Sequence, residues 1–258
     1  GMDTKIRAGE YEMSPALRPT ELLEKLVRGE FYKRIVLLKE GDSIWQLGKV
    51  VEKTGLLSEV EMNRGLIDPN LLVAAGIRAQ SFEGYLFPET YYFNRPIDVH
   101  KILWRMLEES EKRWTEELSK RADELHMTRH EILTLASIIQ KEAGNFEEMP
   151  KISSVFHNRL AQGMRLQSDP TVIYGIPNFD GNLTRAHLET PTPYNTYTNF
   201  GLPPGPICNP GEIALRAALY PEKTEYLFFV ADGSGGHYFS KTLQEHNQAV
   251  DRYQRNKG

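Results

Sequence analysis

The strand patterns in this sequence are few and short, and they stand apart from longer helical patterns. An apolar, partly β-branched run at 33–38 predicts one strand in the N-terminal part. A buried-strand pattern at 225–230, a glycine-rich reversal at 232–236 and a second strand pattern at 237–240 predict a C-terminal β-hairpin. Helical patterns lie between these segments, so an α+β fold is favoured over a doubly wound α/β fold.

The character of the sequence changes near residue 80, which predicts two domains. Residues 1–80 carry short helical patterns around the first strand and form a small N-terminal α/β region. Residues 81–258 begin with an aromatic-rich segment, 82–93, and continue with a long amphipathic helix or helix pair at 99–125. We expect this second region to be a mixed α/β domain that ends with the hairpin and a closing helix.

The composition is that of an ordinary globular protein. Lys and Arg number 31 against 35 Asp and Glu, a formal charge of −4, so we expect no nucleic acid partner. No run approaches the roughly 18 apolar residues that a membrane-spanning helix needs, so the chain as given is expected to be soluble. The opening Gly1-Met2 is typical of a cleaved tag, and we expect the natural protein to extend further at this end.

Metal and cofactor chemistry have no signal in the sequence. The single cysteine, Cys208, cannot form an internal disulfide and is too few for a cysteine-rich zinc site. It also lacks the neighbours of a catalytic nucleophile. No His-Glu-x-x-His spacing or comparable ligand pattern is present. We therefore expect neither a metal nor a cofactor.

One helix pattern carries a carboxylate where an apolar residue is expected. The helix is predicted to begin with a capping box at 128–131 and to end at Gly144. At about 100° per residue, Glu142 falls between Leu135 and Ile138 on the apolar side of this helix. Burial disfavours the ionised form of a carboxyl group, so Glu142 is expected to have a raised pKa, as a general acid requires.

A structural role for Glu142 is the alternative. In the last helical turn, its side chain can turn out to water or pair with Arg159 or Arg165. His237, which follows the glycine-rich reversal, is interpreted as a structural residue rather than a base. The helix pattern alone does not separate the catalytic interpretation of Glu142 from the structural one.

Three downstream loops, at 155–175, 188–198 and 201–211, are rich in amide, hydroxyl and aromatic side chains and have few charges. Such side chains suit a cleft that binds sugar hydroxyls and N-acetyl groups and stacks on sugar rings. Polar loops also form ordinary turns, so this composition alone does not establish a cleft.

Six segments of the sequence form a pattern that we relate to a known family. They are residues 83–90, 136–142, 158–175, 194–197, 201–207 and 229–237. In this order they resemble the motifs of the endolytic murein transglycosylases, the YceG-like or MltG family. The resemblance implies a periplasmic or extracytoplasmic enzyme that cuts nascent peptidoglycan glycan strands internally, held at the cytoplasmic (inner) membrane by one N-terminal helix. It also implies a LysM-like subdomain around residues 40–44 and a role beside penicillin-binding synthases in ending strand elongation.

The resemblance assigns Glu142 as the catalytic glutamate. It implies that Glu142 protonates the oxygen between N-acetylmuramic acid and N-acetylglucosamine, and that the sugar's own C6 hydroxyl attacks the anomeric carbon. The ionised glutamate then takes the hydroxyl proton, which leaves a 1,6-anhydro end and consumes no water. The reaction class is therefore that of a lyase, with no metal or cofactor.

Eight further residues are candidates for binding the glycan. Six are expected to hold acetamido groups and orient the C6 hydroxyl, namely Gln167, Ser168, Asp169, Tyr194, Asn195 and Tyr197. Two carboxylates of the aromatic-rich segment, Glu83 and Glu89, are expected to face the cleft. Structural alternatives stand beside these roles: a helix N-cap for Asp169, a turn brace for Asn195, core packing for the tyrosines, and backbone or arginine binding for the two glutamates.

Two other functions are compatible with the sequence. A hydrolytic muramidase would use Asp169 or Glu89 as a second carboxylate and water as the acceptor. A non-catalytic peptidoglycan-binding protein would bind through the LysM-like part alone. The mass of the glycan ends separates the first from a transglycosylase. Undetectable activity in the parent, as well as in a Glu142→Gln variant, would favour the second.

Overall fold

The computed structural model describes residues 5–255 and divides the chain into two compact units. The first unit takes the residues up to Lys39 together with Ile44–Phe82 and Pro88–Glu108, and the second takes Glu40–Ser43, Glu83–Phe87 and the residues from Glu109 onward. Within residues 5–255, no helix combines the length and the apolar character that crossing a membrane requires.

The first unit contains a two-stranded antiparallel sheet, with three helices between its strands and one helix on either side of them in the chain. The strands are β1 (Arg34–Leu37) and β2 (Thr90–Phe93), and the register places Arg34 opposite Phe93. The helices are α1 (Pro19–Arg28), α2 (Ile44–Lys53), α3 (Glu59–Leu66), α4 (Pro69–Ala74) and the first part of α5 (Val99–Arg113). The strand predicted at 33–38 is confirmed, whereas β2 lies in the aromatic-rich segment, where the sequence predicts no strand.

Helical periodicity explains how α2 and α3 pack. Ile44, Leu47 and Val51 lie on one face of α2 and are fully buried. Met62 and Leu66 of α3 are fully buried too, and the two helices are in contact. Burying each such side chain contributes roughly 1.5–3 kcal/mol to folding. The contact between α2 and α3 therefore forms the centre of a small core.

The second unit is mainly helical and is organised around α7. Its helices are α6 (Glu116–Glu124), α7 (Arg129–Glu142), α8 (Met149–Ala161), α9 (Asp169–Tyr174), α10 (Arg185–Glu189), α11 (Glu212–Leu219) and α12 (Leu243–Val250), followed by a π-helical turn at Asp251–Arg255. Helix α7 contacts α6, α8, α9 and α11, and all its residues from Ile132 to Ile139 are buried. The core of this unit therefore surrounds the helix that carries Glu142.

A β-hairpin forms the last strand pair of the second unit. β3 (Phe228–Ala231) pairs antiparallel with β4 (His237–Ser240), and Ala231 lies opposite His237. The reversal between them is closed by Asp232, whose Oδ1 accepts hydrogen bonds of 2.7 Å from both the amide and the hydroxyl of Ser234. The predicted hairpin is confirmed.

The mixed α and β content agrees with the predicted α+β class. Residues 5–255 form twelve α-helices and two separate two-stranded antiparallel sheets, with no parallel strand pair among them. The helical stretch predicted at 99–125 is a helix pair, α5 and α6. The pair is divided at Thr115, whose side chain caps α6 by accepting the amide of Leu118.

Candidate active site

A groove of about 510 Å³ opens on the second unit. Side chains from the end of α7, from α8, from the loops around α9, and from the hairpin and α12 line it. The lining residues are Glu142, Arg159, Gln167, Asp169, Tyr197, Phe228–Ala231, His237, Leu243, His246, Val250 and Gln254. Its volume lies within the roughly 300–1,000 Å³ that is typical of ligand sites.

Glu142 is the last residue of α7, and its side chain is partly buried at the wall of this groove. Removal from water raises the pKa of Glu142 from its ordinary value of 4.5 to about 6, and the negative charge of Asp169 acts in the same direction. A hydrogen bond from Ser168 opposes this change, as do the charges of His237 and Arg159. The raised pKa agrees with the expectation from the helix pattern.

Ser168 holds one oxygen of this carboxyl group. Its Oγ donates a hydrogen bond of 2.5 Å to Oε1 of Glu142. Ser168 is only 1% exposed and is not among the groove's lining residues. The structure therefore brings Ser168 to Glu142, as a partner of the carboxyl group rather than as part of the groove wall.

Arg159 connects two segments that border the groove. Its Nε donates to the carbonyl of Leu227 at 2.7 Å, and its Nη1 donates to the carbonyl of Leu166 at 2.6 Å. Its guanidinium group also lies 5.3 Å from the centre of the Phe228 ring. Arg159 therefore fixes the segment before β3 relative to the loop that leads into α9.

The arginines proposed as ion-pair partners of Glu142 are engaged elsewhere. Arg159 binds backbone carbonyls, and Arg165 places its guanidinium group 4.5 Å from the centre of the Phe200 ring. Across residues 5–255, no ion pair joins Glu142 to either arginine. The structural alternative that Glu142 forms an ion pair with Arg159 or Arg165 is therefore wrong.

Three of the predicted glycan-binding residues, Gln167, Asp169 and Tyr197, line the groove together with Glu142. The hydroxyl of Tyr197 donates a 2.6 Å hydrogen bond to Oδ1 of Asp169, and burial raises the pKa of Tyr197, so the hydroxyl keeps its proton. Gln167 has an exposed side chain. Asp169 is the first residue of α9, and the N-cap position belongs to Ser168, so the N-cap alternative for Asp169 is wrong.

Asn195 and Glu89 lie outside the groove lining. Asn195 is fully buried, and its Nδ2 donates to the carbonyls of His187, Leu188 and Thr190. Its Oδ1 accepts the amide of Tyr197 at 2.8 Å, so Asn195 braces the loop that carries this tyrosine. Glu89 is exposed, and its Oε1 accepts the amide of Thr90 at 2.8 Å.

Glu83 and Tyr194 belong to a second polar cluster that does not line the groove. Glu83 is 2% exposed, accepts the hydroxyl of Tyr174 at 3.1 Å and accepts Nδ2 of Asn209 at 3.3 Å. The ring of Tyr194 packs 4.9 Å from that of Tyr174. The structure does not bring these two residues to Glu142, and their roles in glycan binding stay predictions.

The hairpin contacts the segment that follows α7 through His237 and Gly235. The backbone amide of His237 donates to Oε1 of Glu148 at 2.8 Å, and its Nδ1 lies 2.9 Å from Oε2 of the same carboxylate. Gly144 lies against Gly235 so closely that a Cβ at residue 144 would overlap the carbonyl oxygen of Gly235. These contacts place His237 on the wall of the groove.

Comparison with known proteins identifies the family. The model of the YceG-like family matches residues 1–252. The chain belongs to the YceG-like family. It is 33% identical over 264 residues to the endolytic murein transglycosylase of Bacillus subtilis strain 168, a match that covers 96% of this chain and 73% of that protein. It is 28% identical over 280 residues to the endolytic murein transglycosylase of Streptococcus pneumoniae strain D39, where the match covers 96% of this chain.

A solved structure agrees with this assignment. The crystal structure of a YceG-like protein from Listeria monocytogenes is 35% identical in sequence and superimposes with a TM-score of 0.78, over 95% of this chain and 85% of that one. The resemblance drawn from the six sequence segments is thereby confirmed. This YceG-like chain spans 50% of the length of the streptococcal relative.

Two features of the site in this YceG-like chain are not predicted from its sequence: Glu148, which holds His237 of the groove wall, and the contribution of α12. Glu148 ends a 3₁₀ turn, Phe146–Glu148, in a short polar stretch that has no periodic pattern. Helix α12 is predicted only as a closing helix, yet it contributes Leu243, His246 and Val250 to the groove. His237, the partner of Glu148, does lie in one of the six segments that resemble the family motifs, as the last residue of 229–237.

The single cysteine of this YceG-like chain, Cys208, is not among the residues that line the groove. In the part of the chain that the structure describes, no group of three or more His, Cys, Asp or Glu side chains could hold a metal ion. Cys208 is fully buried, and burial raises the pKa of its thiol.

Proposed function

We propose that this chain is an endolytic lytic transglycosylase of peptidoglycan. It cleaves the bond between N-acetylmuramic acid and N-acetylglucosamine within nascent glycan strands and leaves 1,6-anhydro ends, which terminates strand elongation. The observation that carries the proposal is Glu142, a partly buried carboxyl group on a groove wall with a pKa raised to about 6. Relatives named endolytic murein transglycosylase support the substrate and the reaction class.

The first step needs an acid, because the bridging oxygen between two sugars is a poor leaving group. A pKa of about 6 lets Glu142 keep its proton in part of the molecules near neutral pH. Glu142 gives this proton to the bridging oxygen as the bond from that oxygen to the anomeric carbon breaks. The bonding electrons leave with the oxygen, and positive charge develops on the anomeric carbon.

The second step needs a base, and the same residue supplies it. The C6 hydroxyl oxygen of the muramic acid residue attacks the anomeric carbon and closes the 1,6-anhydro ring. Its proton passes to the carboxylate of Glu142, which restores the acid for the next cycle. Because the nucleophile belongs to the same sugar, the attack is intramolecular and is favoured by proximity. No water enters the product.

The remaining groove residues bind the strand. Gln167, Asp169 and Tyr197 line the groove and are proposed to hold acetamido groups and orient the C6 hydroxyl. Apolar side chains of the groove lining, among them Phe228 and Leu243, are proposed to pack against sugar rings.

A hydrolytic muramidase is the second candidate, because Asp169 lines the same groove as Glu142. In that reaction Asp169 would act as the nucleophile or as the base for a water molecule, and the product would have a reducing end. Glu89, the other carboxylate considered for this role, is exposed and is not a groove residue.

Mass spectrometry of digested glycan strands tests the proposal. The parent is expected to produce anhydro ends, and Glu142→Gln, which keeps the shape of the side chain, is expected to lose at least about 100-fold in rate. Glu147→Gln is the matched control because Glu147 is exposed on the neighbouring 3₁₀ turn. Ends that are one water heavier would establish the muramidase, and a parent that binds strands without cutting them would establish a binding protein.

The finer architecture and the setting of the enzyme belong to the same proposal. We infer that residues 1–80 include a LysM-like subdomain that binds peptidoglycan, and that residues 81–258 are the catalytic part. Strand β1 and the helices α2, α3 and α4 lie within residues 1–80, whereas β2, the antiparallel partner of β1, lies beyond them at Thr90–Phe93. The natural protein is proposed to be held at the cytoplasmic membrane by one N-terminal helix, with this segment outside the cytoplasm and near penicillin-binding synthases.

A further inference from the structure

Ser168 occupies the N-cap position of α9, yet its side chain does not cap that helix. A serine at this position ordinarily accepts a backbone amide from the first helical turn. Here Oγ donates instead to Oε1 of Glu142, at 2.5 Å. The hydroxyl group therefore serves the glutamate and not the helix that Ser168 begins.

The surrounding loop holds Ser168 in this position. Its backbone amide donates to Oγ1 of Thr196 at 3.0 Å, and its carbonyl accepts Oγ1 of Thr171 at 2.7 Å. The two threonine hydroxyls lie 2.8 Å apart, and both residues are buried. Gln167, directly before Ser168, has a φ of 49°, a left-handed conformation that is strained for a residue with a side chain.

We propose that Ser168 is a positioning residue that directs the catalytic proton to Oε2 of Glu142; this inference rests on the proposed function. Oε1 is bonded to Ser168, which is almost fully buried and is not a lining residue, whereas Glu142 itself lines the groove. We therefore assign Oε2 as the oxygen that reaches the substrate. Oε1 accepts the serine proton throughout the cycle. Oε2 therefore gives its proton to the bridging oxygen and later takes the proton of the C6 hydroxyl.

The serine also strengthens the acid. A hydroxyl group bonds more strongly to a carboxylate than to a neutral carboxyl group, so its bond lowers the pKa of Glu142. Removal of the hydroxyl is expected to raise this pKa above its present value of about 6. A serine variant leaves the other ionisable groups that face Glu142 in place. They are Arg159 on α8, Asp169 on α9, Tyr197 in the loop after α10 and His237 on β4.

Ser168→Ala tests the proposal through the pH–rate profile. We expect turnover to fall about 10- to 100-fold and the alkaline limb of the profile to move to higher pH, because the variant loses a hydrogen bond to a charged group. Ser137→Ala is the matched control. Ser137 is fully buried on α7, and its Oγ donates to the carbonyl of Thr134. The control is expected to lose stability and to leave the alkaline limb where it is.

Carbon-13 NMR of the Glu142 carboxyl group gives a second readout that does not depend on activity. The signal is assigned by its absence in Glu142→Gln, and its titration is expected at higher pH in Ser168→Ala than in the parent. If the alanine variant does not fold, Ser168→Cys, which has a weaker donor of similar shape, takes its place in the comparison.

An unchanged or lower pKa of Glu142 in the serine variant would overturn the inference, as would unchanged turnover. The proposed function would still stand in that case, provided that the parent forms anhydro ends and Glu142→Gln does not. A parent that forms no anhydro ends would reject the proposed function, and with it the role of Ser168 in directing a catalytic proton.

Discussion

The hydroxyl of Tyr197 donates a 2.6 Å hydrogen bond to Oδ1 of Asp169, on the wall of the groove that Glu142 also lines. This bond fixes a negative charge near the proposed acid, and the charge raises the pKa of Glu142. In the proposed reaction, Asp169 therefore helps Glu142 to keep its proton at higher pH, and it does not attack the sugar.

Asp169→Asn is expected to shift the pH dependence and to leave the product unchanged. Asparagine keeps an acceptor for Tyr197 but removes the negative charge, so Glu142 loses its proton at lower pH. The alkaline limb of the pH–rate profile then moves toward lower pH while anhydro ends still form. Rate measurements across pH and mass spectrometry check the two parts. A loss of more than about 100-fold at every pH would instead assign Asp169 as a muramidase's second carboxylate.

Glu142→Gln is expected to stabilise the protein at neutral pH although it abolishes activity. Glu142 has a folded-state pKa of about 6 against an ordinary value of 4.5, so the folded state binds its proton more tightly than the unfolded state does. Parent stability therefore falls as the pH rises through this interval, by up to about 2 kcal/mol in total. Glutamine has no charge to bury, so its advantage should be present at pH 7 and absent at pH 4.

Urea unfolding at these two pH values measures the difference, with Glu147→Gln as the exposed control. An equal difference between parent and Glu142→Gln at both pH values would show that burial of this carboxyl group does not oppose folding. The comparison also separates a stable, inactive variant from one that is inactive because it is unfolded.

The position of Glu142 is predictable from sequence because it depends on local signals. Thr128 and Glu131 form the predicted capping box, and α7 ends at Glu142, so the helical wheel gives its face correctly. Gly144 follows the helix as predicted, but its φ is not in the left-handed region. The close approach of Gly235 accounts for a glycine there, and no local pattern reports such a contact.

The glycan-binding residues are less predictable, because a polar residue type does not reveal which surface it faces. Asn195 resembles a sugar-binding amide, yet the hydrogen bonds of its side chain go to backbone groups of α10 and of the loop that follows it. Glu83 is taken up by Tyr174 and Asn209, which are distant in sequence. The sequence does not predict strand β2 because its pairing partner, β1, lies far earlier in the chain.

Glu148→Ala is expected to loosen the hairpin at the groove. Glu148 accepts two hydrogen bonds from His237, through its amide and its ring, and both side chains are largely buried. We expect a loss of about 2 kcal/mol in the free energy of unfolding, since the acceptor is charged. Activity should fall as well, because His237 lines the groove. The exposed neighbour gives the control, Glu147→Ala, which should stay within about 0.5 kcal/mol of the parent. Equal losses in the two variants would contradict a specific role for Glu148.

Gly144→Ala is expected to displace the hairpin from the end of α7. The added Cβ would overlap the carbonyl oxygen of Gly235, a backbone atom that can move only with its turn. Overpacking of this kind lowers the free energy of unfolding by about 1–3 kcal/mol. The displaced turn should also carry His237 away from Glu142, so the rate of anhydro-end formation should fall. Gly205→Ala is the graded control, because the nearest atoms to its Cβ would be side-chain atoms, the edge of the His130 ring at 3.2 Å and the hydroxyl of Tyr194 at 3.6 Å. Urea unfolding and product analysis of both variants test this, and equal stability of the two would show that contact between the hairpin and α7 does not require a glycine.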